Sequence, residues 1–194
     1  MLLALQGSAA RALPGTCLAS TSSTLHTPAS GAADSCKFAT ADKAFGDAHY
    51  HWFFLSQPYD LPERLIGANL AYYLWAKLRK WGRDESAFTP AALAEYQRCF
   101  ARPERIHATC KDYRAAATTD LAHDEADLGR RISCPLLALW GEKGFIAQKY
   151  DVLEVWRERA DDVRGRALPS GHFLPEEAPE ETYAELRGFF GDSR

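Results

Sequence analysis

The sequence predicts an α/β protein in which a helical layer is followed by a terminal β-α-β-α unit. Three observations carry that expectation. Between Asp42 and Leu121 the apolar and aromatic residues recur at helical spacing, punctuated by prolines where helices start. Ser133-Cys134-Pro135-Leu136-Leu137-Ala138-Leu139-Trp140-Gly141 is an apolar run closed by glycine, the mark of a strand buried on both faces. A helical segment, a weaker strand and a last helix follow it, an order that implies a parallel strand pair with a right-handed crossover.

Taken in order, residues 1–36 hold one arginine (Arg11), one acid (Asp34) and ten Ser/Thr, with no sustained period. That composition reads as disordered or unrelated sequence, or alternatively as an organelle transit peptide. Helices are expected over Asp42 to Gln57, ended by Pro58; over Pro62 to Trp81, with Gly82 beyond its end; over Pro90 to Phe100, behind the Thr89 N-cap; and from Pro103 to about Leu121. The strand 135–140 follows, then an amphipathic helix over Ala147 to Ala160, a strand over Asp162 to Pro169, and a closing helix over Pro175 to Phe190 with acids in its first turn. The domains expected are therefore 1–37 (disordered or unrelated), 38–130 (helical cap) and 131–194 (sheet and helices). Two parallel strands make a poor sheet. The pattern thus reads as the end of a larger α/β domain, with the edge beside strand 135–140 bare.

Composition sets further bounds. With 194 residues, 46% apolar and a net charge of −3, the chain can bury a core and has no charge excess for nucleic acid or an anionic membrane. No apolar run approaches the roughly 20 residues of a membrane span. Five cysteines at irregular spacing (Cys17, Cys36, Cys99, Cys110, Cys134) argue for reduced thiols and a soluble cytoplasmic chain, organelle-targeted if 1–36 is a transit peptide. His49, His107 and His123 fit no motif and make no metal set.

One histidine stands apart. Ser170-Gly171-His172-Phe173-Leu174-Pro175-Glu176-Glu177-Ala178-Pro179 places an imidazole between a glycine turn and a helix start. There it is either a turn residue or a general base presented at the carboxyl end of a sheet. The sequence holds no Gly-x-Ser-x-Gly or Gly-x-Asp-x-Gly elbow and no His-Gly oxyanion segment. Glu142-Lys143-Gly144-Phe145, after the first strand, offers no convincing acid.

Together with Tyr50-His51-Trp52-Phe53-Phe54-Leu55-Ser56-Gln57-Pro58, Leu61-Pro62-Glu63-Arg64-Leu65-Ile66, Cys110-Lys111-Asp112-Tyr113-Arg114-Ala115 and Leu137-Ala138-Leu139-Trp140-Gly141, this block resembles the fluoroacetate (haloacetate) dehalogenases of the α/β-hydrolase fold. The likeness runs from about Phe38 to Phe190. It implies a truncated α/β-hydrolase fold, a cap followed by the last two core strands. It also implies roles: His172 as the catalytic histidine, His51, Trp52 and Tyr113 as halide-binding donors, and Trp81 as a wall of the substrate pocket. No cofactor or metal is implied. The partner in complete relatives is a small haloacid, and a homodimer is kept as a candidate assembly. In the family the nucleophile is an aspartate on a Gly-x-Asp-x-Gly elbow, and the acid follows the strand before the cap. Here that place falls in the N-terminal segment, where Asp34 is the nearest carboxylate.

Three readings of function follow: a dehalogenase-like hydrolase without its nucleophile and inactive alone, a non-catalytic binding module using the bare sheet edge and the cap aromatics, or the remnant of a longer gene. The geometric expectation is that His51, Trp52 and Tyr113 converge on one small site, with His172 facing the same cavity.

Overall fold

Asp42 opens the first helix by accepting a hydrogen bond from the Phe45 backbone N–H at 2.7 Å, the N-cap geometry that satisfies an otherwise orphaned donor. In this computed structural model the described residues are Cys17–Ser20 and 42–191. They divide into two units, one holding 42–78 with Phe88–Leu128, the other holding Cys17–Ser20, Arg79–Ala87 and 129–191. The remainder of the segment 1–37, with Asp34, lies outside the described residues.

The first unit is helical: α1 (Lys43–Leu55), α2 (Leu61–Ala68), most of α3 (Leu70–Trp81), α4 (Pro90–Phe100), α5 (Pro103–Ala116) and α6 (Thr119–Ala126). Thr89 caps α4 through the Ala92 N–H at 3.2 Å, and Pro90 and Pro103 occupy first-turn positions where no N–H is needed. Two helices expected to be continuous are broken. The first stops at Asn69 (φ −151°, ψ 65°), whose side chain accepts from the Tyr72 N–H at 3.4 Å; its amide competes with the helix for backbone partners, and Gly67 lowers the local propensity. The second stops at Thr118 (φ −140°, ψ −84°), whose hydroxyl donates back to the Arg114 carbonyl at 2.7 Å. Phe45, Trp52, Leu55, Ile66, Phe100, Ile106, Cys110 and Tyr113 form the buried interior. On α5 the buried positions 106, 110 and 113 make one stripe at helical spacing.

The second unit is built on β2 (Leu136–Gly141), with β3 (Val163–Leu168) parallel on one side and β1 (Cys17–Ser20) parallel on the other. This corrects two expectations. Residues 1–36 are not wholly without regular structure, because Cys17–Ser20 pairs in register with Leu136–Leu139. The edge of β2 is consequently covered. The physical reason is the two-sided demand of a central parallel strand, which a short, largely apolar Cys-Leu-Ala-Ser segment can meet. Alternation explains the rest. Leu136 and Ala138 pack with Val152, Trp156 and Ala160, while Leu137 and Leu139 pack with Leu168, Leu174, Ala178 and Phe189 on the other face.

The crossover helix expected over Ala147 to Ala160 is two short ones, α7 (Phe145–Lys149) and α8 (Val152–Arg157), because Tyr150 is extended and Asp151 caps α8 from outside, accepting from the Glu154 N–H at 3.0 Å. The closing helix likewise splits into α9 (Leu174–Glu177) and α10 (Pro179–Gly191), since the residue before a proline avoids the helical region and Ala178 sits at φ −145°. The expectation of reduced thiols is corrected at Cys134, which is disulfide-bonded, whereas Cys99 and Cys110 are free; irregular spacing cannot reveal a pair that folding brings together. Among the described residues no helix is long and apolar enough to cross a membrane.

Where β2 ends, two backbones meet. A Cβ on Gly141 would lie 1.7 Å from the Gly171 carbonyl oxygen, and one on Gly171 would lie 2.8 Å from the Trp81 carbonyl oxygen. Glycine at both positions lets the loop carrying His172 settle against β2, where the Lys143 N–H donates to the Ser170 carbonyl at 3.1 Å. Gly141→Ala should therefore lower stability by about 3 kcal/mol, the range of severe steric substitutions, measured by chemical denaturation; a loss no greater than that of an exposed-site control such as Gly188→Ala would contradict this packing.

Candidate functional site

In the helical unit, His51 and Trp52 come from α1 and Tyr113 from α5, and all three are buried, at 1%, 4% and 5% exposure. His51 and Tyr113, 62 residues apart in sequence, meet edge to face with ring centroids 5.6 Å apart and an interplanar angle of 80°. Trp52 joins them through His49, whose ring lies 5.7 Å from the indole and 5.9 Å from the His51 ring. Side chains two apart on a regular helix do not face each other. His49 departs from helical geometry (φ −118°, ψ 26°), and the kink lets its ring lie alongside that of His51. Phe45 stacks on His49 at 4.7 Å and completes the aromatic wall.

What holds α5 at the height that presents Tyr113 is the next residue. Arg114 forks onto Glu63 of α2, with N–H donors 2.7 and 3.0 Å from the two carboxylate oxygens, and its Nε donates to the Gln57 carbonyl at 2.8 Å. His107 Nδ1 lies 3.0 Å from the same Glu63. The Arg114 hydrogen bonds hold the Glu63 carboxyl at about 2, well below its usual value, against an opposing push from burial. Planar two-point pairing of this kind fixes direction as well as distance. Cys110, one turn earlier, has its thiol pushed up to about 11 by burial, so it packs as a neutral hydrophobe.

A buried cation stands nearby on α3. The Lys77 ammonium lies 3.8 Å from the centroid of the Tyr50 ring and 5.3 Å from that of Tyr73, and burial holds the Tyr73 phenol protonated far above its ordinary range. Lys77 is 6% exposed. Sequence reasoning missed it, although its spacing of four from Tyr73 was a usable signal.

The other two expected residues, Trp81 and His172, lie in the sheet unit and are brought together there. Their ring centroids are 5.4 Å apart, and the His172 backbone N–H donates to the Trp81 carbonyl at 3.0 Å. Phe173 sets its ring edge-on to the imidazole at 5.0 Å. His172 follows β3, half-buried at the carboxyl end of the sheet. The expectation of one cavity shared by His172 and the helical donors involves both units and stays an expectation. Among the described residues no three His, Cys, Asp or Glu side chains gather to hold a metal.

With this geometry established, comparison with known proteins gives a consistent picture. The chain is 37% identical over 158 residues to a fluoroacetate dehalogenase from a Burkholderia species, covering 81% of this chain and 52% of the relative. It is 29% identical over 150 residues to a soluble epoxide hydrolase from a Corynebacterium species, covering 74% of this chain and 50% of that protein. Among solved structures, a proposed α/β hydrolase from Nostoc shares 64% identity at a TM-score of 0.77 over 81% of this chain and 54% of its own. A structure from Pseudomonas aeruginosa, named for a proposed epoxide hydrolase, shares 39% identity at a TM-score of 0.77 over 91% of this chain and 57% of its own. No protein-family profile matches. The chain spans about half the length of the relatives it matches.

The Glu63 pairing sets a pH dependence whose sign is fixed. A carboxyl held at about 2 when folded, against 4.5 ordinarily, contributes stability that is present above the ordinary value and is lost as pH falls toward 2. Unfolding free energy should thus fall more steeply from about pH 5 to pH 2.5 in the wild-type chain than in Glu63→Gln; parallel curves from denaturant titrations would show that the pair holds nothing in place.

Proposed function

Because the chain is an α/β hydrolase homologous to a fluoroacetate dehalogenase, we propose that it carries the halide-binding cap and the histidine of a hydrolase acting on 2-haloacetates. The observation that supports this most is the meeting of His51 with Tyr113 inside the helical unit, 5.6 Å between ring centroids. An imidazole N–H, an indole N–H and a phenol O–H are donors suited to a small anion. Cleavage of a carbon–halogen bond depends on stabilising the charge that develops on the departing halogen. A buried cluster concentrates that stabilisation, since a low-dielectric surrounding strengthens each hydrogen bond.

In the proposed reaction an aspartate displaces halide from the carbon beside the carboxylate and forms an ester. His172 then takes a proton from water, which attacks the ester carbonyl and releases the hydroxyacid. Trp81, its ring tilted against that of His172 with centroids 5.4 Å apart, is the proposed wall of the pocket. The sequence contains no Gly-x-Asp-x-Gly elbow, so the chain alone is proposed to leave the carbon–halogen bond intact. The binding-module reading keeps only its cap aromatics, because β1 pairs along the edge of β2 that such a module would use.

Epoxide opening is the second reading, favoured by the Corynebacterium relative. There the developing charge is on oxygen and one hydroxyl donor such as Tyr113 can meet it. A trio that includes indole and imidazole favours a bare halide.

Two outcomes test the proposal. Fluoride release from fluoroacetate, read with a fluoride electrode, should not exceed that of His172→Ala; release above this control sinks the inactivity claim. Halide affinity, read from tryptophan fluorescence with bromide or chloride, should fall about tenfold in Tyr113→Phe, the equivalent of ~1.4 kcal/mol for one charge-assisted hydrogen bond; unchanged affinity would leave the trio as ordinary core.

A further inference from the structure

Beneath His172 lies a carboxylate that no part of the reaction requires. Glu177, the last residue of α9, turns its side chain back toward the start of its own helix. One oxygen accepts the Phe173 N–H at 3.1 Å. The other accepts two successive backbone N–H groups from the Trp81–Asp84 turn, Arg83 at 2.5 Å and Asp84 at 3.1 Å. Two consecutive amides aimed at one oxygen make a small anion nest, here occupied by a side chain of the same unit.

These bonds close a ring around the histidine. Glu177 fixes the backbone immediately after His172. It also fixes the residues just beyond Trp81, and the Trp81 carbonyl accepts the His172 N–H. The Arg83 side chain adds a further strut by donating from Nε to the Lys143 carbonyl at 3.0 Å, tying the same turn to the end of β2. The ring therefore runs Glu177, Phe173, His172, Trp81, Arg83 and back, and the imidazole and indole it carries lie 5.4 Å apart between centroids. The backbones approach so closely that neither Gly141 nor Gly171 can carry a Cβ without collision.

We infer that Glu177 is a positioning residue for His172, setting the imidazole against Trp81 by clamping both backbones at once. A carboxylate suits the task because it offers lone pairs on two oxygens and donates nothing. Charge-assisted bonds to backbone N–H groups are also about twice as strong as neutral ones. The significance of the clamp for a reaction rests on His172 being the base proposed above; the clamp itself is a matter of placement and is tested separately.

The test uses the intact chain and NMR. In Glu177→Ala the amide exchange of Phe173, Arg83 and Asp84 should quicken about tenfold or more, the contacts between the His172 and Trp81 rings should weaken, and the imidazole titration midpoint should move. Glu177→Gln keeps one acceptor and the shape of the side chain and should fall between, so a fold defect in the alanine variant leaves the claim open to refutation. Glu180→Gln, an exposed acid on α10, is the control. Unchanged exchange at all three amides overturns the clamp. Faster exchange with an unmoved imidazole midpoint and intact ring contacts overturns the positioning role and leaves only a helix cap. Neither outcome depends on turnover, so the clamp stands or falls on placement alone, apart from the base assignment.

Discussion

A parallel strand with apolar side chains on both faces must be covered on every side, and β2 is that strand. Leu136 and Ala138 demand one helical layer, Leu137 and Leu139 another, and the backbone demands a neighbour on each edge. Burying one leucine side chain fully contributes roughly 2 kcal/mol, so the run Leu136–Leu139 largely decides where α8, α10, β1 and β3 go. The carboxyl end of β2 then falls at Gly141, the loop after β3 falls across it, and His172 emerges there. The histidine's place follows from strand burial before any catalytic requirement is invoked.

The helical unit obeys a different constraint. Its candidate residues are polar atoms on aromatic frames, which bury large apolar area yet keep a donor available. Such frames need direction, which apolar packing supplies poorly. Arg114 supplies it by forking onto Glu63 and reaching the Gln57 carbonyl in the loop before α2. Both units thus use the same device: a carboxylate with several directed donors stands one or two contacts away from the candidate group. Glu63 does so for Tyr113 through Arg114, and Glu177 does so for His172 through backbone amides.

Much of this was legible in the residues. The apolar run at 135–140 announced a doubly buried strand, and Thr89-Pro90 and Pro103 marked helix starts to the residue. The breaks at Asn69, Thr118, Tyr150 and Ala178 were not read, although the prolines and capping side chains that cause them were visible; helical periodicity continues across such breaks and conceals them. The strand Cys17–Ser20 was missed because four residues show no useful alternation, and their pairing is set by a partner more than a hundred residues away. The Cys134 disulfide was hidden because spacing along the chain does not show which cysteines folding brings together. At the candidate sites, the residue types of His51, Trp52, Tyr113 and His172 pointed to chemistry. Their supports Glu63 and Glu177, and the buried Lys77 nearby, looked like ordinary surface charges, since burial and partner choice are properties of the folded chain.

The central claim is that donors on α1 and α5 address one anion. A proton–nitrogen correlation spectrum of the chain, recorded with and without added halide, tests it most directly. The Trp52 indole N–H and the His51 ring nitrogens should shift together along a single saturable curve, and Tyr113→Phe should weaken that curve for both residues alike. If the indole and imidazole signals stay put, or move with different midpoints that Tyr113→Phe leaves unaltered, the three side chains share a core and not an anion site.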